Sequence, residues 1–293
     1  MKKIKHLLFL LFLVIGLPQG NFQILNIPPS TKLLALSNSG QAINDNMHSY
    51  NPASIKSDDM KIAINSHVYP KNILYTNSQL LIPKNNTIYS LQYANLNFGT
   101  FVDGSSKHHF NCSEFLFQGS IKQTVLNRFS IGSSIGYAIN KISNEFSHAL
   151  FLSLGVRSQM NNPYLGVGLS MNNIGKVIKN FHNTTEYLPT SITLSTFYQP
   201  KYFPGILLID FYNNTNINET EIRLGLELEF KNYISLRFGN SSNSLALLDA
   251  YSSYFTGFSA GIGINMKKWD IDIGVYNLET AGIVSGISLL YNK

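Results

Sequence analysis

Cysteine occurs once in the 293 residues, at Cys112, so no intramolecular disulfide can form and a disulfide-stapled fold is excluded. Charge is scarce as well: Asp, Glu, Lys and Arg make up 13% of the chain, about half the share of an ordinary soluble domain. A water-facing surface built from so few charges would be poorly hydrated, whereas a surface turned to lipid tolerates it. Long apolar runs are missing too. A membrane helix needs about 18–20 consecutive apolar residues, and the longest run, Leu7 to Leu17, holds eleven including one glycine. Any membrane crossing is therefore made by strands. Catalytic sets are equally absent. Of the seven histidines only His108 and His109 are neighbours, and in a strand their side chains point to opposite faces, which is no metal-ligand spacing. No glycine-rich phosphate loop stands before a helix pattern. Serine is so frequent that a Ser–His coincidence carries no signal. No catalytic, cofactor-binding or metal site is expected, and the chain does not read as an enzyme. The formal net charge is +6, but Lys2, Lys3 and Lys5 belong to a leader. The remaining 19 basic residues (22 − 3) stand against 16 acidic ones, too even and too scattered a balance for nucleic acid.

What the chain does have is alternation. In Glu221 to Phe230, the residues Ile222, Leu224, Leu226, Leu228 and Phe230 fall on one side of an extended strand, and Glu221, Arg223, Gly225, Glu227 and Glu229 on the other. On a helix the same apolar residues would be spread around the circumference. Similar runs recur after Met60: Ile131 to Ile139, Leu150 to Val156, Leu165 to Met171, Phe258 to Met266, Trp269 to Val275 and Ile283 to Tyr291, separated by Asn, Gly, Pro, Ser and Lys clusters. About fourteen such segments are expected, with no long helix. The face opposite the apolar one is mostly Gly, Ser and Asn, which suits a lumen better than a hydrated surface. Asp270 and Asp272 share one such face and are expected to line that lumen. Tyr and Phe near strand ends (Tyr69, Tyr89, Tyr93, Tyr187, Tyr198, Tyr202, Phe203, Tyr233, Tyr291) are expected to form interfacial girdles. The predicted fold is an all-β transmembrane outer-membrane barrel of about 14 antiparallel strands, in contact with outer-membrane lipid. Residues 1–20 read as a signal peptide, with a lysine-bearing start, a short apolar core and Pro18 and Gly20 ending it. Residues 21–59 are polar and broken by Pro28, Pro29 and Pro52, and read as a plug for the lumen; residues 60–293 form the barrel.

Several short motifs point to a family. The segment Phe22-Gln23-Ile24-Leu25-Asn26-Ile27-Pro28-Pro29-Ser30, followed by Leu34-Ala35-Leu36 and then Asn51-Pro52-Ala53, resembles the amino-terminal signature of the PorV/PorQ outer-membrane proteins, and is most similar to the PorQ branch. Tyr93 to Gly99 with Phe101, Asn172-Asn173-Ile174-Gly175, Glu186-Tyr187-Leu188-Pro189 and Ile209-Asp210 extend the resemblance over the mature chain. The positions that carry it are Leu25, Asn26, Pro28, Ser30, Ala35, Leu36, Asn51, Pro52, Ala53, Asn173, Gly175, Leu188 and Pro189. The resemblance implies a barrel of FadL-like architecture and an accessory role in type IX protein secretion, with other secretion components or cargo as partners. A FadL-like passive channel for hydrophobic small molecules is the alternative. At Asn51-Pro52-Ala53 two readings stand side by side: a fixed turn within the plug, and simply the turn into the first strand.

Overall fold

The computed structural model describes residues 22–47, 49–103, 108–160, 162, 164–181, 186–216, 219–230, 233–242, 257–278 and 281–293. The signal-peptide reading of residues 1–20 lies outside them. Fourteen strands follow one another: β1 Lys61–Tyr69, β2 Ile73–Lys84, β3 Thr87–Val102, β4 His109–Leu126, β5 Phe129–Ile142, β6 Glu145–Gln159, β7 Leu165–Lys179, β8 Ser191–Tyr198, β9 Gly205–Asn214, β10 Glu219–Phe230, β11 Ile234–Ser241, β12 Ser259–Asn265, β13 Trp269–Asn277 and β14 Ile283–Asn292. Each pairs antiparallel with its sequence neighbour, and β1 closes the barrel on β14, from Lys61 opposite Asn292 to Val68 opposite Ser285. Closure leaves no open sheet edge among the described strands, the condition for a strand-built membrane crossing.

The alternation in the sequence decides which face goes where. On β10, Ile222, Leu224 and Phe230 are exposed on the outside, while Arg223, Gly225 and Glu227 are buried within. Ser90, Ser120, Ser134, Ser153, Ser170, Ser195, Ser259 and Ser288 are all buried, one or more on most strands. The exterior is an apolar band carrying Ile64, Leu91, Ile135, Leu152, Leu194, Ile273 and Ile287. Such a band is stable against hydrocarbon and unstable against water. Both chain termini lie at one end of the barrel, the terminus end, with the turns at 85–86 and 127–128; the connections 180–190 and 242–258 join strands at the opposite end, the loop end. Exposed Tyr198, Tyr202, Phe203, Tyr233 and Trp269 ring the terminus end, with the Trp269 and Tyr291 rings 4.7 Å apart. Tyr69 departs from the girdle expected of it. It sits at an inward position of β1 and packs on the interior core.

A fourteen-stranded wall is too wide for its own side chains to fill. Residues 22–59 occupy the interior instead. They contain 3-10 turns at Gln23–Leu25 and Pro52–Ser54 and one short helix, α1, at Thr31–Ala35. Ser30 caps α1 by accepting from the Leu33 N–H (3.3 Å), and Asn51 caps the second 3-10 turn by accepting from the Ala53 N–H (3.0 Å). The Asn51-Pro52-Ala53 turn is not the entry to β1, because residues 55–60 intervene. Its surroundings lie across the lumen.

Candidate functional site

Turn bonds within the plug, such as the Ser39 N–H to the Leu36 carbonyl (3.0 Å) and the Asp45 N–H to the Ser54 carbonyl (2.9 Å), satisfy part of its backbone, and the groups left over need other partners. The wall supplies several. Glu114 of β4 accepts from the Ile24 N–H (2.8 Å), Asp210 of β9 from the Gln41 N–H (3.1 Å), and Ser288 of β14 from the Thr31 N–H (3.1 Å). Donors act on plug carbonyls: Arg157 Nε on Ala42 (2.6 Å), Asn77 Nδ2 on Pro29 (2.8 Å), Ser130 on Ala53 (2.9 Å) and Ser259 on Ala35 (2.8 Å). Near the terminus end an ion network joins plug to wall. Lys32 of α1 reaches Glu227 (3.0 Å), which also pairs with Arg237 (2.9 Å), and Arg237 pairs with Asp272 (2.5 Å). Burial pushes the Asp45 carboxyl above its ordinary range, against the pull of Lys32. Burial likewise raises the Tyr50 phenol well above its ordinary value, so Tyr50 stays a donor, to the Asn26 carbonyl (3.0 Å).

The Asn51–Ala53 turn fits against glycines. A Cβ on Gly132 of β5 would overlap the Pro52–Ala53 peptide, one on Gly155 of β6 would overlap the Asn51 side chain, and one on Gly168 of β7 would press on Asn51 and Ala42. Asn51 Nδ2 donates to the Val156 carbonyl of β6 (3.2 Å). The turn therefore touches the strand backbone itself.

Two cavities remain between plug and wall at the loop end. The first, about 340 Å³, is apolar: Ile27, Pro28 and Leu34 of the plug face Tyr69, Ile73, Leu96, Phe98 and Leu278 of the wall. Its size is within the range of roughly 300–1,000 Å³ that small-molecule sites occupy. The second, about 240 Å³, is polar, with Gln41, Tyr50, Asn172, Tyr212, Glu221 and Arg223 among its lining. Asn26, Ser37, Asn38 and Tyr276 line both. Among the described residues no group of three or more His, Cys, Asp or Glu is placed to hold a metal.

The motif positions fall into three places. Leu25 is in the interior core, Asn26 and Pro28 line the apolar cavity, and Ser30, Ala35 and Leu36 belong to α1 and its caps. Asn51, Pro52 and Ala53 face the glycines of β5 to β7. Asn173 adopts a positive φ of 58° where the β6–β7 register slips; its N–H bonds to Ser153 (3.2 Å) and its side chain to the Pro189 carbonyl (3.1 Å), with Leu188 buried and Gly175 against the β6 backbone. Of the cavity lining, Tyr69 was expected in the girdle and Leu96 and Phe98 fall within the Tyr93 to Gly99 motif, while Ile73, Tyr276 and Leu278 did not stand out in the sequence. Leu96 and Phe98 alternate with outward Asn97 on β3, and Leu96 lies between Tyr75 of β2 and Glu114 of β4.

No protein-family model matches the chain, and no curated protein does. Solved structures do. The Pseudomonas putida toluene transporter TodX aligns over 91% of this chain and 99% of its own at a TM-score of 0.61 and 8% identity. The monoaromatic hydrocarbon channel CymD aligns over 91% and 98% at 0.63 and 11%. A Pseudomonas aeruginosa FadL homologue aligns over 91% and 99% at 0.56 and 10%. The fold is the FadL-type barrel. At this identity the likeness speaks for architecture alone: the alignments take in about nine tenths of this chain and nearly all of each matched chain. TodX is a toluene transporter and CymD a monoaromatic hydrocarbon channel, and none of the three supports the type IX role that the amino-terminal motifs imply.

Proposed function

We propose that this chain is a passive, non-enzymatic outer-membrane channel for hydrophobic small molecules, seated in outer-membrane lipid, with the plug as its movable part. The observation that carries the reading is the apolar cavity between plug and wall near one end of the lumen. An apolar solute gains by leaving water for such a cavity, and Tyr69, Ile73, Leu96 and Phe98 supply the surface. TodX and CymD, which share the fold, are a toluene transporter and a monoaromatic hydrocarbon channel. The test is uptake of labelled p-xylene by cells that express the chain. Phe98→Asp puts a charge into the apolar cavity and is expected to cut uptake at least about tenfold while leaving the folded barrel in the membrane, since a buried unpaired charge costs several kcal/mol. Uptake that does not depend on the chain, or that survives Phe98→Asp, defeats the reading. A second reading, an accessory barrel of type IX secretion holding components or cargo, is favoured by the order and spacing of the amino-terminal motifs alone. Loss of sorting-domain proteins from the surface of a deletion strain, with their retention in the periplasm, would favour it.

A further inference from the structure

The outward faces of the strands carry charge of one sign, and most of it lies in one place. Among the described strands every Asp and Glu stands at an inward position, Glu114, Asp210, Glu221, Glu227 and Asp272 among them, and Glu145 at the start of β6 is on the same side of its strand as the buried Ser147. Lys and Arg take outward positions on those strands only at Lys84, Lys141, Lys176 and Lys179. Lys84 ends β2 at the terminus end. The other three sit on adjoining strands at the loop end. Lys179 of β7 lies opposite His148 of β6, Lys176 opposite the outward Leu150, and Lys141 of β5 opposite Phe146. Residues opposite one another in an antiparallel pair share a face, so the three lysines and His148 form one exterior patch. No ion pair joins any of them to a carboxylate among the described residues.

Aromatic rings back the patch. Tyr137 and Phe146 stack on His148, their planes 15° and 14° from its own and their centroids 5.8 and 6.2 Å away. The Tyr137 hydroxyl is 2.8 Å from His148 Nδ1, and Lys141 Nζ lies 5.5 Å from the centre of the Phe146 ring. Rings and lysines where an apolar band ends mark the level of lipid headgroups. Further along the same strands the exterior is hollowed into an apolar groove of about 450 Å³, lined by Ile121, Ile131, Ser133, Leu154, Leu169 and Met171. Met171 is five residues before Lys176 on β7. That is roughly 16 Å at about 3.3 Å per residue, or about half of a hydrocarbon core of roughly 30 Å. We propose that this face holds one anionic phospholipid, its phosphate on Lys141, Lys176 and Lys179 and an acyl chain running past Leu150 into the groove. Ammonium groups with no carboxylate beside them favour a headgroup of net negative charge. A phosphate paired with its own ammonium gains less. The proposal depends on the barrel lying in a membrane and not on what the lumen carries.

The test uses the full chain in a non-ionic detergent, with bound lipid counted by native mass spectrometry. The probes are dioleoyl phosphatidylglycerol, dioleoyl phosphatidylcholine with the same tails, and glycerol phosphate with no tails. Each lysine near a lipid surface contributes about fivefold, so phosphatidylglycerol is expected to bind at least about tenfold more tightly than phosphatidylcholine. Lys141→Gln, Lys176→Gln and Lys179→Gln together are expected to bring the two lipids within about twofold of each other, while Lys84→Gln leaves the preference as it was. Salt checks the same point without a variant: the preference is expected to shrink as NaCl rises from about 50 to about 500 mM. Ser133→Phe fills the groove and is expected to weaken both lipids alike, leaving their ratio unchanged. Equal binding of the two lipids, a preference that survives the triple variant, or glycerol phosphate bound as tightly as phosphatidylglycerol would overturn the headgroup assignment. Lipid affinities indifferent to Ser133→Phe would overturn the seat of the acyl chain. A dimer from which the lipid is displaced would show that a second copy covers the patch, and would overturn the proposal.

Discussion

Asp45 shows how the plug is held under tension between burial and pairing. Its carboxyl is buried, which disfavours the charged form, while Lys32 favours it; burial is the larger effect and the folded-state pKa is raised above 3.8. A carboxyl whose folded pKa is raised binds its proton more tightly when folded. Its stabilisation is therefore greatest below the ordinary value and is lost as pH rises through the raised one. Asp45→Asn keeps an acceptor for the Met47 N–H, which Asp45 Oδ1 now receives (3.2 Å). The variant is expected to make the plug more resistant to proteolysis at neutral pH and no more resistant below pH 3.8. A plug weakened at neutral pH would mean that the attraction of Lys32 outweighs burial. The sequence showed Asp45 as the one acidic residue between Asn21 and Asn51-Pro52-Ala53, and nothing local revealed that it would be buried.

The strands and the plug were legible to different degrees, and the difference is physical. A strand writes its inside and outside into every second residue, so β10 could be read from Glu221 to Phe230 with its faces correctly assigned. The plug has no period. Its shape comes from wall residues distant in sequence, such as Glu114 bonded to Ile24 across ninety positions. Gly132, Gly155 and Gly168 read as small lumen residues like the serines around them, yet they are where strand backbone and the Pro52 turn come into contact. Gly132→Val is expected to push the Asn51–Ala53 turn off the wall, destabilising the plugged state by about 1–3 kcal/mol as overpacking does. Faster proteolysis within residues 49–60, with the barrel still resistant to unfolding in detergent, is the readout; an unchanged digestion pattern would show that the turn has room to move aside.

At the scale of the whole molecule, the outward band is the property on which insertion depends. Leu224 lies near the middle of β10, 49% exposed, among other outward apolar residues. Leu224→Arg is expected to cost about 2–4 kcal/mol of folding in lipid, as a cation near the midplane does, and little if the position lies at the interface. Urea titration of the barrel refolded into vesicles measures it. The architecture was readable because lipid outside and small polar residues inside impose the same two-residue rhythm on every strand. The activity was not. Apart from Asn26 and Pro28 in the apolar cavity, the motifs that carry the family resemblance proved to be plug core and caps, wall contacts and a β7 irregularity, positions that shape the packing of plug on wall. The cavity that favours a hydrophobic solute is assembled from β1, β2, β3 and β13 together with the plug, and no single stretch announces it.

The seam between β1 and β14 has a consequence for the order of assembly. Lys61 meets Asn292 only after the last strand exists, a closure over most of the chain and a slow one by its loop entropy. The plug's wall partners are spread from Asn77 on β2 to Ser288 on β14. The segment that leaves the ribosome ahead of every strand thus has no complete seat until the final strand has docked, and it is made before the strands yet comes to rest after them.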